Sequence, residues 1–177
     1  PPEALQDSNA FRKKRCYQEL TETTLRRALP SLRSIFDVYS RANRNTASDL
    51  QDSQAMSIGE WLAMIEHVGL FQMGQVSFFG AKAIFKWSII RACPDHSAQS
   101  ERKLRHLNFM DFCEALVRLA CVIALPTDAE LEEAQAADAG EYLFALMDCG
   151  DVEQFVSERK TGWRSQPKQH VSRCVHH

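Results

Sequence analysis

A short motif occurs twice in this chain, each time after a polar loop and ahead of a helical hydrophobic pattern. The first copy is Met56-Ser57-Ile58-Gly59-Glu60-Trp61 and the second is Leu107-Asn108-Phe109-Met110-Asp111-Phe112. Each runs apolar, small polar, apolar, then an acid followed by an aromatic. Behind the first copy, Ile58, Trp61, Leu62, Ile65 and Val68 recur at helical spacing. Ser57 and Glu60 form an S-x-x-E capping box at the start, and Gly69 suits the end. Behind the second copy, Phe112, Leu116, Leu119, Ala120 and Ile123 form an inward stripe from about Met110, and Pro126 ends it. The segments ahead of the loops also match: Ile35-Phe36-Asp37-Val38-Tyr39 and Ile84-Phe85-Lys86-Trp87. No alternating run is long enough for a proper strand, so the expected fold class is all-α.

The other elements follow the same rules. A helix is expected over 10–28, opening with the basic run Arg12-Lys13-Lys14-Arg15. Pro30 fits the first turn of the next, which carries Leu32, Ile35, Phe36 and Tyr39 on one face and ends near Arg41. Residues 42–55 and 93–106 read as polar loops. Ser77 starts a helix carrying Phe78, Ala81, Ile84, Phe85, Ser88 and Ile89 that stops before Pro94. Thr127 and Glu130 form another capping box, opening a helix expected to reach about Met147, and a short helical piece follows near 151–159. The expected organisation is a flexible start at 1–10, one helical domain over 11–160 with its core at 31–124, and a polar, basic, mobile tail at 161–177. With 177 residues, 45% of them hydrophobic, the chain can bury a full core, which excludes disorder throughout. No apolar run reaches the roughly 18 residues of a membrane helix, so no membrane partner is expected.

Helix, loop, helix, twice over, is the shape of paired EF-hands, whose loops touch through a short two-residue pairing. The order of residues from Leu32 to Ala124 resembles the degenerate EF-hand core of the tubulin polymerization-promoting protein family, and related modules of cilia and flagella. The best-matching piece is Leu107-Asn108-Phe109-Met110-Asp111-Phe112-Cys113-Glu114-Ala115-Leu116, and Thr161-Gly162 lies where that family has a Thr-Gly element. The resemblance implies paired, degenerate EF-hand-like units with additional helices at both ends. It implies a cytoskeletal, ciliary or flagellar setting and a protein partner such as tubulin.

Calcium can be tested on the residues themselves. An EF-hand loop places oxygen ligands at positions 1, 3, 5, 7 and 9, a bidentate glutamate at 12 and glycine at 6. With Met56 at position 8, Asp49 falls at 1 and Glu60 at 12, with Gln51, Ser53 and Gln54 at 3, 5 and 6. With Leu107 at position 8, Ser100, Arg102 and Leu104 fall at 1, 3 and 5, and Arg105 replaces the glycine. Arginine and leucine offer no oxygen, so the second loop cannot hold the ion. The first keeps Asp49 and Glu60 as weak candidates, although Glu60 already has work as the partner of Ser57. A calcium sensor using the first loop therefore stays open as the alternative, beside a regulatory domain of a larger protein.

Other chemistry finds little support. Cys93, His96 and His106, and Cys174, His176 and His177, are soft ligands at irregular spacing, unlike the paired ligands of a structural zinc site. No cofactor is expected. There is no nucleophile elbow, P-loop or dinucleotide fingerprint, so no enzyme is expected. The six cysteines form no C-x-x-C pair and read as reduced thiols of an intracellular protein of the cytoplasm or cytoskeleton. The chain begins Pro1-Pro2-Glu3 without methionine, which makes a piece of a larger protein the expectation.

Charge is segregated. The net charge of −2 sums a basic segment at 11–44 (nine bases, three acids), an acidic one at 119–158 (ten acids, no bases) and a basic one at 159–177 (five bases, no acids). Such blocks either neutralise one another or steer the chain to an acidic partner. Nucleic acid is not expected, since no recognition element accompanies the basic run. The residues expected to contact a protein partner are Trp87 and Phe79, which fall off their helix's main stripe, and Arg12, Lys13, Lys14 and Arg15. The expected function is that of a non-enzymatic interaction or scaffold module not regulated by calcium.

Overall fold

The computed structural model describes residues 8–41, 55–89, 105–159 and 169–177. Among these residues the backbone is helical, and the one extended pairing is an isolated antiparallel bridge between Met56 and Leu107. The elements are α1 (Ser8–Phe11), a π-helical turn (Arg12–Cys16), α2 (Glu19–Arg27), α3 (Leu29–Arg41), α4 (Ile58–His67) and α5 (Phe78–Ser88). They continue as α6 (Phe109–Ala120), α7 (Asp128–Ala134), α8 (Ala139–Cys149), α9 (Val152–Arg159) and α10 (Val171–His176). Residues 1–7 and most of the two polar loops lie outside the described residues.

The helices start where capping chemistry places them. Ser57 Oγ accepts the Glu60 N–H at 3.3 Å, while the Ser57 N–H donates to Glu60 Oε2 at 2.7 Å. The second motif repeats this with Asn108 and Asp111, at 2.9 and 3.2 Å. Each box satisfies two backbone donors that a helix start leaves unpaired. Ser77 and Thr127 cap α5 and α7 in the expected way.

The two motifs meet in the core. The Met56 N–H donates to the Leu107 carbonyl at 2.8 Å, and the Leu107 N–H returns to Met56 at 2.9 Å. Both side chains are fully buried. Phe36 of α3 lies 5.6 Å from the Phe109 ring and 5.3 Å from Phe112. Trp61 packs edge-on to Phe112, and its indole N–H donates to the Ala81 carbonyl at 3.0 Å, so its one polar atom is satisfied inside. A second, smaller cluster joins Met73, Ala124, Leu143, Val152, Phe155 and Val156. Gln75 ties the two halves together. Its buried amide donates to the Ala124 carbonyl at 3.0 Å and accepts the Ala124 N–H at 2.7 Å.

Several expectations are corrected. The helix over 10–28 is broken: the π-helical turn ends at Tyr17, and Gln18 is extended. Consecutive Phe11 and Arg12, where α1 passes into the π-helical turn, are both buried. The helix expected to run to Met147 stops at Gln135, whose φ of +54° is left-handed, and Asp138 caps a new helix by accepting the Glu141 N–H at 2.9 Å. Ile35, Val68 and Phe78 sit at the edge of their stripes and are substantially exposed. The end of the supposed mobile tail is α10, which packs on α2 and α6 and buries Val171, Ser172 and Cys174.

Candidate functional site

The loop carboxylates are committed to backbone. Glu60 and Asp111 are both buried, each turned back onto its own cap residue. Asp49, the other weak metal candidate, lies outside the described residues, as do Cys93, His96, Thr161 and Gly162. Among the described residues no group of three or more His, Cys, Asp or Glu side chains is placed to hold a metal ion.

The basic run divides. Arg12 is buried, and its role as a surface contact is corrected. Its Nε donates to Glu114 Oε2 at 2.5 Å, and its Nη2 reaches the Trp87 and Ser88 carbonyls at 3.3 and 3.2 Å. Those carbonyls belong to the last residues of α5, where a cation complements the helix dipole. Glu114 also accepts from Arg118 Nε at 2.8 Å. Arg118 is fully buried, with its guanidinium 4.2 Å from the centre of the Phe11 ring. Burial pulls the Arg118 pKa down, and the Glu114 carboxylate opposes that shift. The result is an Arg12–Glu114–Arg118 cluster that clamps the amino-terminal segment onto α5 and α6. Lys13 and Lys14 remain exposed, and Arg15 is half-buried.

The aromatic pair lies away from the described cleft. Phe79 is 83% exposed and Trp87 40%, so both stand off their helix's buried face as expected. The described cleft of about 460 Å³ lies elsewhere, bounded by Val68, Leu70, Met73, Ile123, Leu143 and Phe144. Trp87 and Phe79 do not line it. It opens where the smaller cluster meets the end of α4, a junction with no marker in the sequence.

The acidic and basic blocks partly neutralise each other within the chain. Arg159 pairs with Glu130, and Arg173 pairs with Asp128. The hydrogen bond from Arg173 leads in holding the Asp128 carboxyl below its ordinary pKa. For Glu130, burial pushes upward, but hydrogen bonds from Thr127 and Arg159 outweigh it and the net shift is downward. Three thiols are suppressed as nucleophiles, chiefly by burial: Cys16 is pushed up to about 12, and Cys113 and Cys174 to about 11.

No protein-family model, curated protein or solved structure matches the chain.

Proposed function

We propose that the chain is a non-enzymatic interaction or scaffold module, built on two degenerate EF-hand-like units and not regulated by calcium. The observation that carries this reading is the Met56–Leu107 bridge followed by two boxed helix starts. The bridge joins the residues assigned to position 8 of each loop. At position 12, Glu60 and Asp111 hold backbone N–H groups instead of pointing at an ion. A pair organised this way holds its helices in one arrangement, which suits a fixed docking surface. The exposed Lys13, Lys14, Phe79 and Trp87 favour an acidic protein partner. The resemblance to the tubulin polymerization-promoting core points to the cytoskeleton, cilium or flagellum, with tubulin as the first partner to test.

Two measurements test the reading. Calorimetric titration is expected to give no calcium heat, with the same tryptophan emission in calcium and in chelator. Micromolar calcium binding abolished by Glu60→Gln would instead establish the sensor. Co-sedimentation with microtubules is expected at low salt and to fall as salt screens the contact. It should weaken in Lys13→Glu/Lys14→Glu, and absence of binding at low salt removes tubulin as partner.

A further inference from the structure

Two exposed helix faces of this chain complement each other. On α5 the outer run is Phe79, half-buried Lys82 and Ala83, and Lys86, and on α8 it is Glu141, Phe144, Ala145 and Asp148, all exposed. Both follow the i, i+3, i+4, i+7 spacing of one helix face, with alanine at the same step. α5 contains no acid and α8 contains no base. Each face carries a large exposed aromatic, Phe79 at 83% and Phe144 at 49%. Phe144 stands on the wall of the 460 Å³ apolar cleft, together with Val68 and Leu143. One face therefore offers a projecting ring beside lysines, and the other offers Glu141 and Asp148 on the helix that borders the cleft, whose own lining is apolar apart from His67 and His177. The charges have only local work where they stand: Lys82 covers the Phe78 ring at 4.2 Å, and Glu141 accepts the Ala137 N–H at 2.6 Å. Among the described residues neither Lys86 nor Asp148 has an ion-pair partner.

We propose that this chain binds a second copy of itself head to tail, the α5 face of one copy against the α8 face and cleft of the next. Phe79 enters the cleft beside Phe144 of the other copy, and Lys82 and Lys86 meet its Glu141 and Asp148. The two surfaces differ, so the contact is heterologous, and each added copy leaves one face free for the next. The small alanines at the centre of both runs let the helices approach closely. Exposed ion pairs contribute little each and are screened by salt, so the association is weak and salt-sensitive, with the inserted ring as its anchor.

Sedimentation velocity over a concentration series tests this with the whole chain. The wild type is expected to grow beyond a dimer at low salt and to revert toward monomer at about 0.5 M salt, where screening acts within a few ångströms. Phe79→Asp is expected to weaken association by about thirtyfold, the cost of losing one anchor residue. Glu141→Lys/Asp148→Lys blocks the other face, and Asp148→Lys alone does so without touching the Glu141 cap. Each blocked variant should be monomeric with an unchanged circular dichroism spectrum. Mixed together, the α5-blocked and α8-blocked chains should form a one-to-one complex that grows no further, because each retains one good face. A wild type that stays monomeric at low salt overturns the proposal, including the case in which it binds polyglutamate as a foreign acidic partner. So does association that Phe79→Asp leaves intact, or a mixture that stays monomeric.

Discussion

Replacing Glu114 with alanine is the sharpest test of how the amino-terminal segment is held. Glu114 is the one carboxylate between two guanidiniums, accepting from Arg12 Nε at 2.5 Å and from Arg118 Nε at 2.8 Å. All three residues are at most 7% exposed. Removing the acid leaves two like charges facing each other away from water. Asn9 Oδ1 and the Trp87 and Ser88 carbonyls, all neutral, are then the acceptors left to Arg12. Breaking a buried pair in this way costs about 3–5 kcal/mol. That is a large part of the roughly 5–15 kcal/mol that holds a domain together. At about 2–4 °C per kcal/mol for a chain of this size, the melting temperature should fall by about 6–20 °C. Thermal and urea unfolding followed by circular dichroism measure it. Removing the whole cluster, with Arg12→Met, Glu114→Leu and Arg118→Met, should recover most of the loss, because apolar side chains need no partners there. A Glu114→Ala loss below about 1 kcal/mol would refute the clamp, since that is the range of an exposed pair. The same logic makes Arg12→Ala a stability variant, unsuited to reporting on a partner.

Four further outcomes follow from the described contacts. Gln75→Ala strands the Ala124 N–H and carbonyl in the interior, and at about 1–3 kcal/mol per unsatisfied group the loss should show in urea unfolding, whereas Gln75→Glu should spare the bond to the N–H alone. In alkylation read site by site by mass spectrometry at mildly alkaline pH, exposed Cys149 should react while Cys16, Cys113 and Cys174 stay protected until denaturant is added. The raised Cys16 pKa has a further consequence: its contribution to stability is full below pH 9.0 and is lost as pH rises toward about 12, so Cys16→Ala should flatten the alkaline fall. At the acid end the sign reverses. The lowered Asp128 and Glu130 carboxyls contribute above their ordinary values of 3.8 and 4.5 and lose that contribution as pH falls. The Val171 methyl resonances should therefore shift on acidification, and Arg173→Ala should reduce the step; an unchanged titration would show that the ion pair does not hold α10.

Local signals were readable where the chemistry is local. Ser57, Ser77 and Thr127 announce helix starts within three or four residues, and all three cap as expected. The Asn108–Asp111 box uses an amide and a shorter acid, so it reads from the sequence only as part of the repeated motif. The breaks were harder to see. Nothing marks Gln135, a non-glycine residue at positive φ, although Asp138 and Glu141 carry the spacing of a helix start. The π-helical turn has no signal of its own in the sequence, and buried Phe11 and Arg12 lie at its start. The π-helical turn lies where tertiary contacts of Arg12 with Glu114 and the end of α5 compete with local helical preference.

The charge map shows most clearly what a sequence withholds. Four consecutive cations at 12–15 look equivalent as a string, yet one is buried, two are exposed and one is half-buried. The acid that decides this is Glu114, 102 residues from Arg12. It sits in the piece of α6 that the motif comparison singled out, where it reads as one more polar position. The basic end behaves likewise: Arg159 and Arg173 are drawn onto Glu130 and Asp128, so the strongest acidic block loses part of its field at its amino-terminal end. What remains outward is narrower than the segments suggested: Lys13, Lys14, Arg26, Arg27 and Arg33 of the basic start, and carboxylates such as Glu132, Glu133, Glu141 and Asp148 of the acidic stretch. Segregated charge in a folded chain thus carries information about partners only after the internal pairs are subtracted. Here the acids left exposed on α8 face outward on the same molecule as the lysines of α5, which lie outside the three segments, and that is why mixing the two blocked variants is more informative than any single charge reversal.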